Sequence, residues 1–229
     1  MTRRLVIGLG IIAVLLIASQ ILLPMAVSDI VAQGMVSLTG SQNVRVNVEK
    51  SPALLMLGGK FDRITLAAQN AKTDKLTFSE LHAVLQDVQI DMNTLISRRL
   101  VAVRSVGDVE LSVVFQQEEL ARILNQSVKG IKNATVAITP DKVQASSNFA
   151  IGGFAQVAVT LEGKIVGEGQ KIKFVTERFL LNNSHVGNIG GAMLTEIELA
   201  DLSKLPFNVH TRNIVLEQGR VVIYTDNRP

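Results

Sequence analysis

The sequence contains no cysteine, no tryptophan and a single tyrosine, and aromatic residues make up only 4% of its 229 positions. Without cysteine there is no disulfide, no thiolate metal site, no nucleophilic thiol and no residue for lipoprotein-type acylation. With so few aromatics the core must be built from Val, Ile, Leu and Ala, a composition that favours sheet. No run of five or more Lys and Arg occurs, and the net charge of +3 is spread along the chain. Despite a sequence pI of about 9.3, no stripe exists that could track a phosphate backbone, which argues against nucleic-acid binding.

What the sequence does contain is apolar length. Leu5 to Leu23 is interrupted only by Ser19 and Gln20, and Arg3 and Arg4 precede it. As a helix this stretch spans about 28 Å, close to the thickness of a bilayer's hydrocarbon core. A secretory signal has the same charged start but a shorter apolar core and a small-x-small cleavage site. Here the exit reads Leu23-Pro24-Met25-Ala26-Val27-Ser28. Residues 1–23 are therefore expected to be an uncleaved single-pass signal anchor, with a cleaved signal peptide as the alternative. Because the next basic residue is Arg45, the positive-inside rule places the N-terminus in the cytoplasm and residues 24–229, read as one domain, outside.

From Pro24 to Leu38 the apolar spacing stays helical, so one long helix is expected to leave the bilayer and pack on a sheet. Beyond Gly40 the period changes from 3.6 to 2. Strands are expected at Val44 to Val48, Phe61 to Asn70, Thr77 to Met92 and Leu100 to Phe115. In the third of these the apolar set changes parity, from Leu81, Ala83 and Leu85 to Val88, Ile90 and Met92, which predicts a β-bulge near Gln86 and Asp87. An amphipathic helix, Gln116 to Val128, carries Leu120, Ile123, Leu124 and Val128 on one stripe. Strands follow at Ile131 to Thr139 and Lys142 to Ala150, joined at Pro140-Asp141, then at Phe154 to Val166 and Lys171 to Asn182. A second helix is expected at Ile189 to Leu199, and a closing hairpin at Asn208 to Glu217 and Arg220 to Thr225. The order of helix then hairpin thus occurs twice.

Chemistry-bearing constellations are sparse. His82, His185 and His210 are far apart in the chain, and none has a spacing that puts two ligands on one helix face. Gly58-Gly59-Lys60 lacks the remaining elements of a phosphate loop and is expected to be a turn. No metal, cofactor or catalytic residue is expected, and only loss of a measurable activity on changing Asp62, Arg63 or His82 would revive an enzyme. What stands out instead is apolar surface. Leu54, Leu55, Met56 and Leu57 occupy a connection between two strands where polar turn residues would be usual. They form either a greasy lip that touches acyl chains or the membrane, or a short helix that plugs the end of the sheet.

Three stretches together resemble the LmeA-type family of envelope phospholipid-binding proteins. They are Gly59-Lys60-Phe61-Asp62-Arg63-Ile64-Thr65-Leu66, then Val109-Glu110-Leu111-Ser112 leading into Gln117-Glu118-Glu119-Leu120, and Leu202-Ser203-Lys204-Leu205-Pro206-Phe207-Asn208-Val209. The resemblance implies an extracytoplasmic α+β protein related to tubular lipid-binding folds, with a strongly curved antiparallel sheet and two or three packed helices. It also implies a non-catalytic role in handling envelope phospholipid or glycolipid. On this basis phospholipid is the expected partner, held in an apolar groove at the outer face of the cytoplasmic membrane. Apolarity and position in the chain nominate Leu54, Leu55, Met56, Leu57, Met92, Leu120, Leu124, Met193, Leu194 and Phe207 as its contacts. The alternative is a membrane-anchored scaffold with a dry core that binds another protein.

Overall fold

The computed structural model describes residues 2–72, 77–127, 131–151, 155–182, 184–185, 196–204 and 207–228. Its fold class is the expected one: a long apolar N-terminal helix, mostly antiparallel sheets of which one curls strongly into half a barrel, and a few short helices. The chain divides into two compact units. Unit 1 comprises residues 1–69 and 82–109, and unit 2 comprises residues 70–81 and 110–229.

In unit 1, α1 (Thr2–Thr39) is a single helix with Pro24 inside it. Its side chains are exposed from Leu9 to Ile17; from Ala18 onward a stripe of covered positions appears, running through Leu23, Val27, Val31 and Gly34. That stripe packs on a small sheet of order β1-β2-β3, formed by β1 (Asn43–Glu49), β2 (Lys60–Lys72) and β3 (Thr77–Ile90), with β4 (Val103–Ser105) paired to β3. Val27 and Val31 join Val48, Met56, Phe61, Ile64, Val88, Ile90 and Leu95 in one buried cluster. Each fully buried aliphatic side chain of this kind stabilises by roughly 1.5–3 kcal/mol, so the C-terminal half of α1 belongs to the core of unit 1. It also covers a sheet edge: β1 is the outermost strand, and its Val48 N–H donates to the Ser28 hydroxyl on α1 at 3.2 Å. An edge strand capped in this way has less backbone left to pair with another chain.

The parity change in β3 is present. Asp87 adopts a positive φ of 50°, the Gln86 N–H donates to Asp108 O at 2.8 Å, and Gln86 O accepts from the Gly107 N–H at 2.9 Å. The buried set accordingly passes from Ala83 to Val88 and Ile90. Two further features differ from expectation. The strand expected from Leu100 to Phe115 is broken into β4 and β5 (Val109–Gln116), because Gly107 comes back to meet Gln86. The residues after Ile90 form a helix, α2 (Met92–Arg98), started by the Asp91 carboxylate, which accepts from Thr94 N–H at 3.0 Å.

In unit 2 the first residues of β3 lead into the order β5-β13-β12, where β12 is His210–Glu217 and β13 is Arg220–Asp226. Phe78 and Phe115 meet edge to face at 4.9 Å. α3 (Gln117–Ser127) follows β5 directly and buries Leu120, Ile123 and Leu124. A second antiparallel sheet has the order β10-β9-β8-β7-β6, formed by β6 (Ile131–Ile138), β7 (Val143–Ile151), β8 (Ala155–Glu168), β9 (Lys171–Leu181) and β10 (Ser184–His185).

The second expected helix is corrected at its C-terminal end: Glu196–Asp201 is a strand, β11, paired antiparallel with β9. Alternation won over helical spacing there. Ile197 is buried between exposed Glu196 and Glu198, and these two carboxylates reach Lys173 at 2.9 Å and Lys171 at 3.0 Å across the strands. Such opposite-charge cross-strand pairs favour the register. The earlier part of that expected helix, with Met193 and Leu194, lies outside the described residues. The three expected hairpins, β6/β7, β8/β9 and β12/β13, are formed.

Candidate functional site

The apolar connection after β1 is a 3-10 helix, Ala53–Gly58, closed by Gly59 in the left-handed conformation at φ 77°. A side chain at Gly59 would place its Cβ 2.1 Å from Ile90 O, so glycine is needed there for space as well as for conformation. In a 3-10 helix residues three apart share a face. Ala53 and Met56 point inward and are buried, Met56 completely. Leu54, Leu55 and Leu57 are left 40, 49 and 57% exposed. The segment is thus a plug on one side and an apolar ridge on the other.

The ridge is held at a defined place. The Ala53 N–H donates to the Gln20 side-chain oxygen on α1 at 3.1 Å. At its other end, the Gly59 carbonyl accepts from Ile90 N–H at 2.8 Å. Between these, Lys50 Nζ meets Asp62 at 2.5 Å, and Asp62 also accepts from Ser51 N–H at 3.1 Å. The hydrogen bond from Lys50, and then that from Ser51, hold the Asp62 carboxyl below the usual carboxylate range. Its charge is therefore spent on closing the loop.

The other nominated contacts are distributed as follows. Met92, at the start of α2, is half-buried and packs against the cluster that contains Met56. Leu120 and Leu124, on α3 in unit 2, are each 4% exposed. Phe207, in the turn before β12, is half-buried with a φ of 80°. The structure thus brings Leu54, Leu55, Met56, Leu57 and Met92 into one neighbourhood of unit 1 and pairs Leu120 with Leu124 on α3. Gln20 escaped the sequence reading; the signal was a lone amide near the end of an otherwise apolar span.

A depression of about 550 Å³ lies against α3 in unit 2, lined by Gln117, Glu118, Arg122, Asn125 and Thr135 among others. Its walls are already engaged. Arg122 pairs with Glu119, and Asn125 bonds both the N–H and the carbonyl of Ala134. Burial raises the Glu119 carboxyl, but the Arg122 hydrogen bonds and the 2.6 Å bond from Thr77 N–H outweigh it, and the net direction is down. Among the described residues no three of His, Asp and Glu converge on one point. His82 is exposed on β3, and His210 is half-buried at the start of β12.

The model of a protein family described as LmeA-like phospholipid-binding matches residues 18–226. No curated protein and no solved structure matches the chain. The matched region begins at Ala18, the residue at which α1 passes from bare to partly covered.

Proposed function

Since the chain belongs to the LmeA-like phospholipid-binding family, we propose that it binds phospholipid without transforming it, anchored by α1 at the outer face of the cytoplasmic membrane. The observation that carries this is the family match over most of the chain, which takes in both units and the C-terminal half of α1. An apolar groove in the soluble part would hold the acyl chains. Burial of aliphatic surface, at roughly 25 cal/mol per Å², supplies the binding free energy, and such a site needs no catalytic group. Retention of α1 fits its second role. Cleavage near Leu23 to Ser28 would cut a helix whose Val27 and Val31 are 4% and 2% exposed inside unit 1.

The test is native mass spectrometry of the full chain in a detergent free of phospholipid, followed by organic extraction. A mass adduct that extracts as phospholipid is the expected result. A chain that arrives bare, and that takes up no fluorescent phospholipid when offered it, would overturn the proposal.

A further inference from the structure

The position of the ridge along α1 sets its depth. With Arg3 and Arg4 at one face of the bilayer, the 19-residue stretch from Leu5 brings the helix to the far boundary near Leu23. Gln20 then sits about 5 Å inside that boundary, at 1.5 Å per residue. Asp29, the first charge after Arg4, lies about 9 Å beyond it. The 3-10 helix is tied to α1 at Gln20 by the Ala53 hydrogen bond. The segment that carries the three exposed leucines therefore starts at the level of Gln20, next to Ile21, Leu22 and Met25, themselves 63–64% exposed.

We propose that Leu54, Leu55 and Leu57 are inserted among the acyl chains of the leaflet from which α1 emerges, forming a lip by which unit 1 stands in the membrane surface. This rests on the reading of α1 as a retained anchor in a phospholipid-binding protein. Three details agree with it. Backbone polar groups at acyl depth must be paired within the protein, and Ala53 N–H is paired by Gln20, while Leu55 N–H donates to Pro52 O at 3.1 Å and Gly59 N–H to Met56 O at 2.8 Å. Lys60, exposed directly after the lip, has the reach to place its ammonium among phosphates while its stem lies along apolar surface. The apolar ridge also begins at the level of the apolar span, so a single lipid environment covers both.

The absence of cysteine makes the test clean. The full chain carrying Leu55→Cys, labelled with an environment-sensitive fluorophore, is reconstituted in vesicles of phosphatidylcholine and phosphatidylglycerol. Ile96→Cys serves as the reference. Ile96 is 62% exposed on α2, whose Arg99 cap bonds Gln33 at 2.8 Å, about 20 Å further along α1 than Gln20. The expected result is blue-shifted emission at position 55, with at least severalfold stronger quenching by chain-bound nitroxide lipid than at position 96, and the reverse order for aqueous iodide. Water-like behaviour at both positions overturns the lip and leaves the leucines as a surface for a protein partner. Equal lipid contact at both overturns the depth assignment.

Because Leu55 is exposed, its replacement leaves the fold intact; a thermal melt matching the parent checks this, and Leu57→Cys gives an independent second site. The two proposals separate in these outcomes. A chain that binds phospholipid but reads water at position 55 loses only the lip, and one that reads lipid there yet carries no phospholipid loses only the binding proposal.

Discussion

The Gln20 side-chain oxygen accepts the Ala53 backbone N–H at 3.1 Å, joining the membrane-length part of α1 to the connection between β1 and β2 across 33 residues of sequence. An amide in an apolar span is costly unless it finds a partner, and a 3-10 helix leaves its first N–H groups without internal acceptors. Each group solves the other's problem.

Gln20→Leu should therefore lengthen the apolar run while loosening the loop. The unpartnered Ala53 N–H costs about 1–3 kcal/mol if it stays dry. Hydrogen exchange on the full chain in micelles should show lost protection at Ala53 with protection on β2 kept. Unchanged protection at Ala53 would mean the bond carries no weight.

The two faces of the 3-10 helix make opposite predictions. Met56 is fully buried in the cluster with Val27 and Val31, so Met56→Ala should destabilise unit 1 by about 2–5 kcal/mol through lost burial and a residual cavity. Leu55→Ala, one residue away and half exposed, should stay within about 0.5 kcal/mol in detergent. Denaturant midpoints for the two variants decide it, and equal losses would show that the ridge is packed like the core.

Much of this arrangement is legible in the sequence because the apolar spacing is regular where one face alone is buried. The strands Asn43–Glu49, Ile131–Ile138 and Val143–Ile151 and the helix Gln117–Ser127 follow their periodicity closely. The misses have local causes. α2 is only seven residues long, and its stripe, Met92 and Leu95, is too brief to outvote the preceding strand pattern; the Asp91 cap with Thr94 three residues on was the readable sign. For Glu196–Asp201, Ile197 extends the helical spacing of Ile189, Met193 and Leu194 and equally opens an alternation with Leu199, and the choice is made by Lys171 and Lys173 on β9. The four apolar residues at Leu54 to Leu57 left plug and lip equally open because the three-residue turn divides them: Met56 plugs the interior, and Leu54, Leu55 and Leu57 stay exposed.

The Asp91 cap gives a pH dependence. The Thr94 N–H first, and then Arg104 at 2.6 Å, hold the Asp91 carboxyl below its ordinary value in the folded chain. A folded pKa lower than the unfolded one contributes stability that is complete above the unfolded value, about 4, and disappears as pH falls through the folded value. Asp91→Ala should thus melt earlier than the parent at neutral pH, and the gap should close on acidification toward roughly pH 3. A gap independent of pH would mean that the carboxylate charge is irrelevant to the cap.

Within unit 2, Thr211 and Gly167 are in closer approach than side chains allow. A Cβ at Gly167 would lie 2.4 Å from Thr211 Cγ2 and 2.5 Å from Thr211 Cβ, while the buried Thr211 hydroxyl has no hydrogen-bond partner. Leaving a buried hydroxyl unsatisfied costs about 1–3 kcal/mol, and exchanging it for a methyl of the same shape removes that cost. Thr211→Val should therefore be neutral or stabilising, against the usual trend for buried substitutions. Gly167→Ala should destabilise by about 1–3 kcal/mol through overpacking. Combining it with Thr211→Ala should recover only part of the loss, because the Thr211 Cβ itself stays in the way. Melting of the four proteins tests the whole relationship, and a Thr211→Val variant weaker than the parent by more than about 1 kcal/mol would show that the hydroxyl is bonded after all.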